Sequence, residues 1–566
     1  MLASLPSISE EIKNWKWDGI APFYEELEKR ELNSGNREKW LADWTNLSDV
    51  VIGYFAHLKV AVSCNTADTG LENELNEWLQ NNLPPLRSAE NRLIRKLLES
   101  GLIPRGMEIP LKKMRVATEI FRTENLPLMA EEAKLSNEYA KISGAQAVMW
   151  NGEELTLSRL RLILLERDHE TRQKAWRADL QRQLQDREAF NQLWVNMLEL
   201  RRQIAANAGL GSYTEYKWKQ LNRFDYTPKD CLAFHQAILE TVVPAATRIY
   251  ERRKKQLGVE TLRPWDIEVE TRDLPPLKPF ANGAQLQERA EVVFKKVDAE
   301  LGEYFAIMCR EQLLDLENRK AKAPGGYCSD LFVQGKHRPF IFMNAVGTQR
   351  DVTTMLHEAG HAFHAFETAK LPYRQQRGVG SEFNEVASMA MELLGTPYLH
   401  EAGFYSPEEA TRAQVAHLEK ILLFWPYMAV VDAFQLWAYA NPDEAANPAN
   451  CDHKWSQLWE RFMPGEDWSG LEEEKATGWH RKLHIFQYPF YYVEYGMAQL
   501  GAVQVWANSL KNANEAVQAY RNAQRLGGTV SLPELYATAG AHFAFDIPAL
   551  KNAVDLIERT ITELNK

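Results

Sequence analysis

Two histidines and a glutamate stand at the spacing His357-Glu358-Ala359-Gly360-His361. On a helix, residues four apart share one face a single turn apart, so both imidazoles can reach one metal ion with a carboxylate beside them. This is the arrangement a metallopeptidase uses to activate water. The surrounding residues predict the helix it needs. Thr348 followed by Asp351 is a capping-box start, and Val352, Met355, Leu356, Ala359, Phe363 and Phe366 form one apolar stripe. At about 100° per residue, His357, His361 and His364 fall opposite that stripe. A helix with its back in a core and three histidines on its other face lines something wet.

A catalytic zinc takes three protein ligands and leaves a position open for water, so a third ligand is needed. His364 lies three residues beyond His361, about 4.5 Å along the axis at about 1.5 Å per residue, too far to close a tetrahedron comfortably. The metzincin pattern is excluded, because it would place glycine at His364 and histidine at Glu367. Downstream, Gly378-Val379-Gly380 reads as a turn, and Ser381 to Leu394 as a helix carrying Glu382, Glu385 and Glu392 near one side. A carboxylate from this second helix would complete a His2Glu set. Glu385 is the chosen ligand and Glu382 its rival.

Two further segments carry groups useful to hydrolysis. In His484 to Gly496, Pro489 suits the first turn of a helix that sets Tyr491 and Tyr495 four apart on one face, with His484 and Tyr488 in the chain entering it. Imidazole and phenol are neutral hydrogen-bond donors, suited to an oxygen that gains negative charge; the other reading is an aromatic core stripe. Pro324 to Phe332 and Arg338 to Ala345 read as short strands joined by the polar turn 334–337. An exposed strand edge could hold an extended peptide through its main chain, and a purely structural hairpin is the equal alternative.

These residues resemble the thimet oligopeptidase and oligoendopeptidase F group of zinc peptidases. The matching segment runs from His357-Glu358-Ala359-Gly360-His361-Ala362-Phe363-His364 to Asn384-Glu385-Val386-Ala387-Ser388. Ala206 to Tyr216, Arg223 and Asp225-Tyr226-Thr227-Pro228 are similar to another part of the peptidase region, and Trp150-Asn151-Gly152-Glu153-Glu154-Leu155 to the oligoendopeptidase F branch. The likeness covers roughly residues 140 to 550. It implies Glu385 as third ligand and Glu382 as a second carboxylate orienting a ligand histidine. It implies that His484, Tyr491 and Tyr495 stabilise the reaction intermediate, that Tyr488 and Tyr492 bind substrate, and that the strand carrying Phe342 and Asn344 holds substrate backbone. The loop here departs from the thimet branch, since Ile485-Phe486-Gln487-Tyr488 replaces a glycine-rich stretch. The implied fold is mainly α: a large helical metallopeptidase body with a deep substrate channel and one small β-sheet beside the HExxH helix.

Composition bounds these expectations. The chain has 566 residues, 45 % of them apolar, and a net charge of −11 with acidic residues spread throughout. Nothing in that balance suggests a nucleic-acid partner. Five cysteines, Cys64, Cys231, Cys309, Cys328 and Cys451, are scattered without a CxxC pair, which fits reduced thiols in a cytoplasmic protein. The N-terminus lacks a basic region followed by an apolar core, and the longest apolar stretch, Ile421 to Val431, contains Pro426 and is too short to span a bilayer. No membrane partner is expected. Helical patterns run from about 129 to 208, 259–279 reads as a long loop, and the hairpin before the HExxH helix is the only β signal. The breaks suggest an N-terminal helical domain, 1–120, and a catalytic domain, 121–566. The expected cofactor is one zinc per chain on His357, His361 and Glu385, with Glu358 as general base. The expected activity is endopeptidase cleavage of short unstructured oligopeptides; the alternatives are a zinc carboxypeptidase of related helical fold and a non-catalytic zinc-containing peptide-binding protein.

Overall fold

A computed structural model describes residues 5–6, 8–272 and 274–566. The chain is mainly α, with two small sheets among the described residues. The first is a hairpin the sequence reading passes over: β1 (Ala147–Trp150) pairs antiparallel with β2 (Glu153–Thr156) across Asn151-Gly152. Both turn residues have positive φ, 51° and 88°. Asn-Gly favours this mirror-image turn, whose twist matches that of the strands it joins. The helical run expected over 129–208 is therefore three long helices, Asn125–Gly144, His169–Leu184 and Arg187–Asn207, with the hairpin and the short helices Leu157–Leu160 and Arg161–Leu165 between the first two. Between Leu257 and Gly283 the described residues carry only the short 3-10 turn Pro264–Asp266, as expected of a loop.

The second sheet has the order β3-β5-β4, from β3 (Leu314–Glu317), β4 (Tyr327–Val333) and β5 (Lys336–Ala345). β4 and β5 form the anticipated hairpin. Their turn is tighter than 334–337, since Val333 already pairs with Lys336 and only Gln334 and Gly335 turn, at φ 49° and 73°. β3 joins β5 in parallel, an addition no local pattern announces.

The HExxH helix spans Gln349–Thr368 and begins as predicted. The Thr348 side chain accepts from the Asp351 N–H, and the Asp351 carboxylate accepts from the Thr348 N–H. Its apolar back packs ring on ring, Phe363 edge-on to Phe294 and Phe366 stacked on Tyr304 with centroids 4.6 Å apart. The glutamate helix, Ser381–Gly395, crosses its other side at Gly360. A Cβ on Gly360 would stand 2.5 Å from the Ala387 carbonyl oxygen and 2.6 Å from the Ser388 Cα, so this close crossing requires glycine.

By packing, the chain divides into two compact units. One comprises 1–118, 277–414 and 498–543, and the other 119–276, 415–497 and 544–566. Residues 1–118, which the sequence division sets apart, thus share a unit with the HExxH helix. The helix Arg37–Cys64 seats its Gly53 against Phe332 of β4, and its Asp49 pairs with His337, Arg374 and Arg377. The other unit has an aromatic core in which Trp194, Phe434, Trp455, Trp479 and Phe486 make mutual ring contacts.

Among the described residues two helices, Arg37–Cys64 and Pro407–Ala440, are long and apolar enough to cross a membrane by length and composition. The second runs through Pro426 rather than ending there, so the apolar stretch is longer than the sequence suggested. Its apolar window is 67 % buried within the protein, and that of the first 50 %.

Candidate metal centre and aromatic cluster

His357, His361 and Glu385 come together as the sequence predicts. Their donor atoms lie within 4.8 Å of one another, with Nε2 of His357 and of His361 at 3.4 and 3.6 Å from Glu385 Oε2. Ser388 Oγ donates to the same Glu385 oxygen at 3.1 Å and fixes its rotamer. The glutamate helix can present this carboxylate at such short range because Gly360 lets the two backbones approach.

The donor set fits a divalent cation. His357 Nδ1 faces Glu392 Oε1 at 2.7 Å, and a proton held there leaves Nε2 as the ring nitrogen that faces Glu385. Burial opposes charge on His357, but its hydrogen bonds to Glu385 and Glu392 outweigh this and raise its pKa well above the ordinary value. For His361, burial dominates and pushes the pKa to about 4, leaving a neutral ring with a lone pair to offer. A divalent cation at the point where both Nε2 atoms and the Glu385 carboxylate converge would take the place of the His357 Nε2 proton, so that two imidazoles and a carboxylate could all act as donors to it.

Glu358 sits beside the triad, 7 % exposed. Burial raises its pKa to about 7, with the carboxylates of Glu385 and Glu392 adding to it and His357 and the Cys328 backbone N–H acting against it. A carboxyl poised there can both accept and return a proton near neutral pH.

Two expectations need correction. The imidazole-orienting carboxylate at His357 is Glu392, two helical turns past Glu385, and not Glu382. Glu382 instead lies against Gly380 in the field of Lys113, whose ammonium donates to the Gly378 carbonyl at 2.8 Å. Phe342 and Asn344 do not present a free strand edge, because β5 is the central strand: Phe342 pairs with Tyr327 on one side and Asp315 on the other. Its ring is fully buried and stacked on Tyr327, while the Asn344 amide donates to the carbonyls of Ala323 and Gly325. The edge strands are β3 and β4, and β4 is the one beside Glu358. Its Cys328 N–H reaches Glu358, so the alternate residues Cys328 and Asp330 direct main-chain groups away from β5. His364, set aside as a ligand from its position on the helix, is buried with Nδ1 3.2 Å from Asn384 Oδ1 and an edge contact to Phe383.

In the second unit, His484 lies at the centre of the tyrosines. Its ring is 4.8 Å from Tyr492, 6.0 Å from Tyr495, 6.1 Å from Tyr488 and 6.2 Å from Tyr491. Burial, and then the charge of Lys482, push its pKa down to about 3, so the ring is neutral. Tyr492 is buried, Tyr491 and Tyr495 are half-buried, and Tyr488 is exposed. The helix expected from Pro489 begins only at Tyr492, because Phe490 takes the left-handed conformation, φ 65°, and breaks the turn before it. Leu483–Phe486 forms a separate short helix that carries His484.

Two buried guanidinium groups hold this segment. Arg201 donates to the carbonyls of Ile485 and Phe486, to the Tyr439 hydroxyl at 2.8 Å and to Glu132 at 2.7 Å. Arg223 donates at 2.6 Å to both the Phe490 carbonyl and Glu494. Gln435 accepts from the Phe490 N–H at 2.8 Å. Arg201 and Gln435 escaped the sequence reading, and a lone polar residue in a helical pattern carries no signal of such a contact.

The Bacillus subtilis (strain 168) oligopeptidase PepF is 23 % identical over 334 residues, 57 % of this chain and 47 % of that one. An oligoendopeptidase F homolog of Borreliella burgdorferi is 22 % identical over 306 residues, 52 % of this chain and 49 % of its own. The chain thus spans about half the length of the curated relatives it matches. A solved structure described as PZ peptidase A with inhibitor 2 superposes with a TM-score of 0.87 at 25 % identity, covering 100 % of this chain and 99 % of that one. The description Peptidase family M3 matches residues 162–553, a span that takes in the HExxH helix, the glutamate helix and the His484 cluster, and the chain belongs to that family.

Proposed function

We propose that the protein is a zinc-dependent oligopeptidase that cleaves within short, unstructured peptides. The observation that carries this reading is the convergence of His357, His361 and Glu385 on one point with the buried carboxyl of Glu358 beside it. A zinc ion on these three residues supplies Lewis-acid polarisation of the scissile carbonyl and makes a water easier to deprotonate. Glu358 takes the proton as the water attacks and passes it to the leaving amine. Glu392 keeps His357 in the tautomer that ligates. His484, Tyr491 and Tyr495 donate hydrogen bonds to the oxygen that gains charge, a role supported by the neutral state of the His484 ring. Tyr488 and Tyr492 take substrate side chains. The substrate backbone lies along the outer edge of β4, whose main-chain groups bind any sequence about equally.

The test is digestion of a mixed peptide library read by mass spectrometry, with and without a chelator, and with C-termini free or blocked. Internal cuts that survive blocking and vanish with chelator are expected. Release of C-terminal residues alone, abolished by blocking, would instead make the enzyme a carboxypeptidase.

A further inference from the structure

Lys482 lies two residues before His484, and its ammonium is in an unusual position for a cation. Nζ sits 3.7 Å from the centroid of the Tyr492 ring and 5.2 Å from that of Tyr427. Among the described residues it makes no hydrogen bond and no ion pair. Glu494, on the same helix as Tyr492, is taken by Arg223. Burial alone depresses the Lys482 pKa, to about 7, and no carboxylate opposes it. Two ring faces attract the charge, but phenol faces accept no strong hydrogen bond, so three N–H donors go without an anionic partner.

Further aromatic rings surround this position. Phe424 and Tyr427, three apart on the helix Pro407–Ala440, pack edge-on to Tyr492 with centroids at 5.7 and 6.0 Å, and both are partly buried. Tyr492 in turn lies against His484. An unpaired cation in an aromatic wall, continuous with the imidazole and phenols that face the reaction in the function proposed above, suits a ligand that brings both a carboxylate and apolar surface.

We propose that Lys482, with Phe424, Tyr427 and Tyr492, is a subsite for a carboxylate of the bound peptide. It makes the enzyme prefer anionic peptides over neutral ones, and it rests on the reading of the protein as a peptidase. The carboxylate comes from the peptide's C-terminus or from an acidic side chain. In either case its neighbouring side chain packs on Phe424 and Tyr427.

The experiment uses two peptide pairs on the full-length, zinc-loaded protein. One pair differs only in a C-terminal acid or amide, and the other only in an internal Glu or Gln. Calorimetric binding and kcat/KM are measured for wild type, Lys482→Met and Lys482→Arg. Wild type is expected to favour the anionic member of at least one pair by about tenfold, the size of one charge-assisted hydrogen bond. Lys482→Met should bring that ratio to about one and Lys482→Arg should keep it. Discrimination within the first pair alone assigns the C-terminus, and within the second alone a side chain. A wild type that binds both members of each pair alike, or a Lys482→Met protein that keeps the wild-type ratio, overturns the proposal. Binding that discriminates without any hydrolysis would keep this subsite and refute the peptidase reading, so the two can fail separately.

Discussion

His357 is held to Glu392 at 2.7 Å, through the ring nitrogen that does not face Glu385. That contact links the two helices of the centre a second time, one turn above the Gly360 crossing. It decides which imidazole nitrogen is free. Glu392→Gln keeps the shape and weakens the acceptor, so metal affinity should fall about tenfold to a hundredfold, the range seen for such outer partners. Competition titration against a zinc chelator measures this, and an unchanged affinity would remove Glu392 from the centre.

Glu358 is not one of the converging donors, so its loss should separate metal binding from chemistry. Glu358→Gln is expected to retain metal at the wild-type stoichiometry while peptide hydrolysis falls by a factor of about 10² to 10⁴, the usual worth of a positioned base. His361→Ala should lose both. Normal turnover by the Glu358→Gln protein would eliminate Glu358 as the base.

Gly360 is an interior position of a functional motif and also a packing contact. Gly360→Ala would bring a Cβ to 2.5 Å from the Ala387 carbonyl oxygen, a backbone atom that cannot rotate away. The helices must part, at a cost of about 1–3 kcal/mol for such overpacking. Because the parting moves Glu385 from the two histidines, metal affinity should drop along with Tm. A variant with lowered Tm and unaltered metal affinity would show that the helix spacing does not set the donor geometry.

Acid should loosen the far end of the same helix. Glu367, fully buried, receives Arg521 at 2.9 Å, Arg525 at 2.9 Å and Lys370 at 2.7 Å, and Glu300 joins Arg521 and Lys370. Burial works against both carboxylates, yet these cations and the Tyr304 hydroxyl bring Glu300 down to about 2, and the cations lower Glu367 too. Folded pKa values below the unfolded ones mean that the stabilisation is complete above the ordinary carboxylate range, about 4.3. It is lost as pH falls from there toward 2. Thermal unfolding should therefore show Tm declining over this window. Glu367→Gln, which leaves cations without their buried anion, should cost about 3–5 kcal/mol at neutral pH and flatten the decline.

What was legible in the sequence follows from how local each signal is. The HExxH helix and its capping residues lie within a few turns of one another, where helical spacing alone places side chains, whereas Glu385, on a second helix, was chosen beside its rival Glu382 and then supported by the family likeness. The Asn151-Gly152 hairpin was legible as well, since its turn chemistry sits in two residues, but it was read only as a family likeness. Phe342 and Asn344 were misjudged because a strand's rank in a sheet depends on β3, whose pairing no local pattern encodes. Glu392 was visible on the acidic side of its helix. Choosing it over Glu382 required knowing the crossing at Gly360, a tertiary contact. Arg201 and Gln435 act across more than 50 residues of chain in every contact that matters here. Such pairs have no footprint in a single sequence.

Phe490 carries the strain in the aromatic cluster, with φ 65° at a bulky residue and a fully buried ring. Such a backbone costs about 1–3 kcal/mol and persists only where the surroundings impose it. Here Gln435 takes its N–H and Arg223 its carbonyl, while Trp218 and Tyr439 pack on its ring at 5.3 and 5.1 Å. The bend it makes delays the helix to Tyr492 and sets Tyr491 and Tyr495 around His484. Arg223→Met removes the carbonyl clamp and leaves Glu494 buried without its cation, so the segment should relax and the tyrosines shift. A displacement of about 1 Å in positioned groups costs about a hundredfold in rate. Hydrolysis should therefore fall by that order in kcat with metal content unchanged. Near-normal kcat with lowered stability would mean that the strained turn serves packing alone.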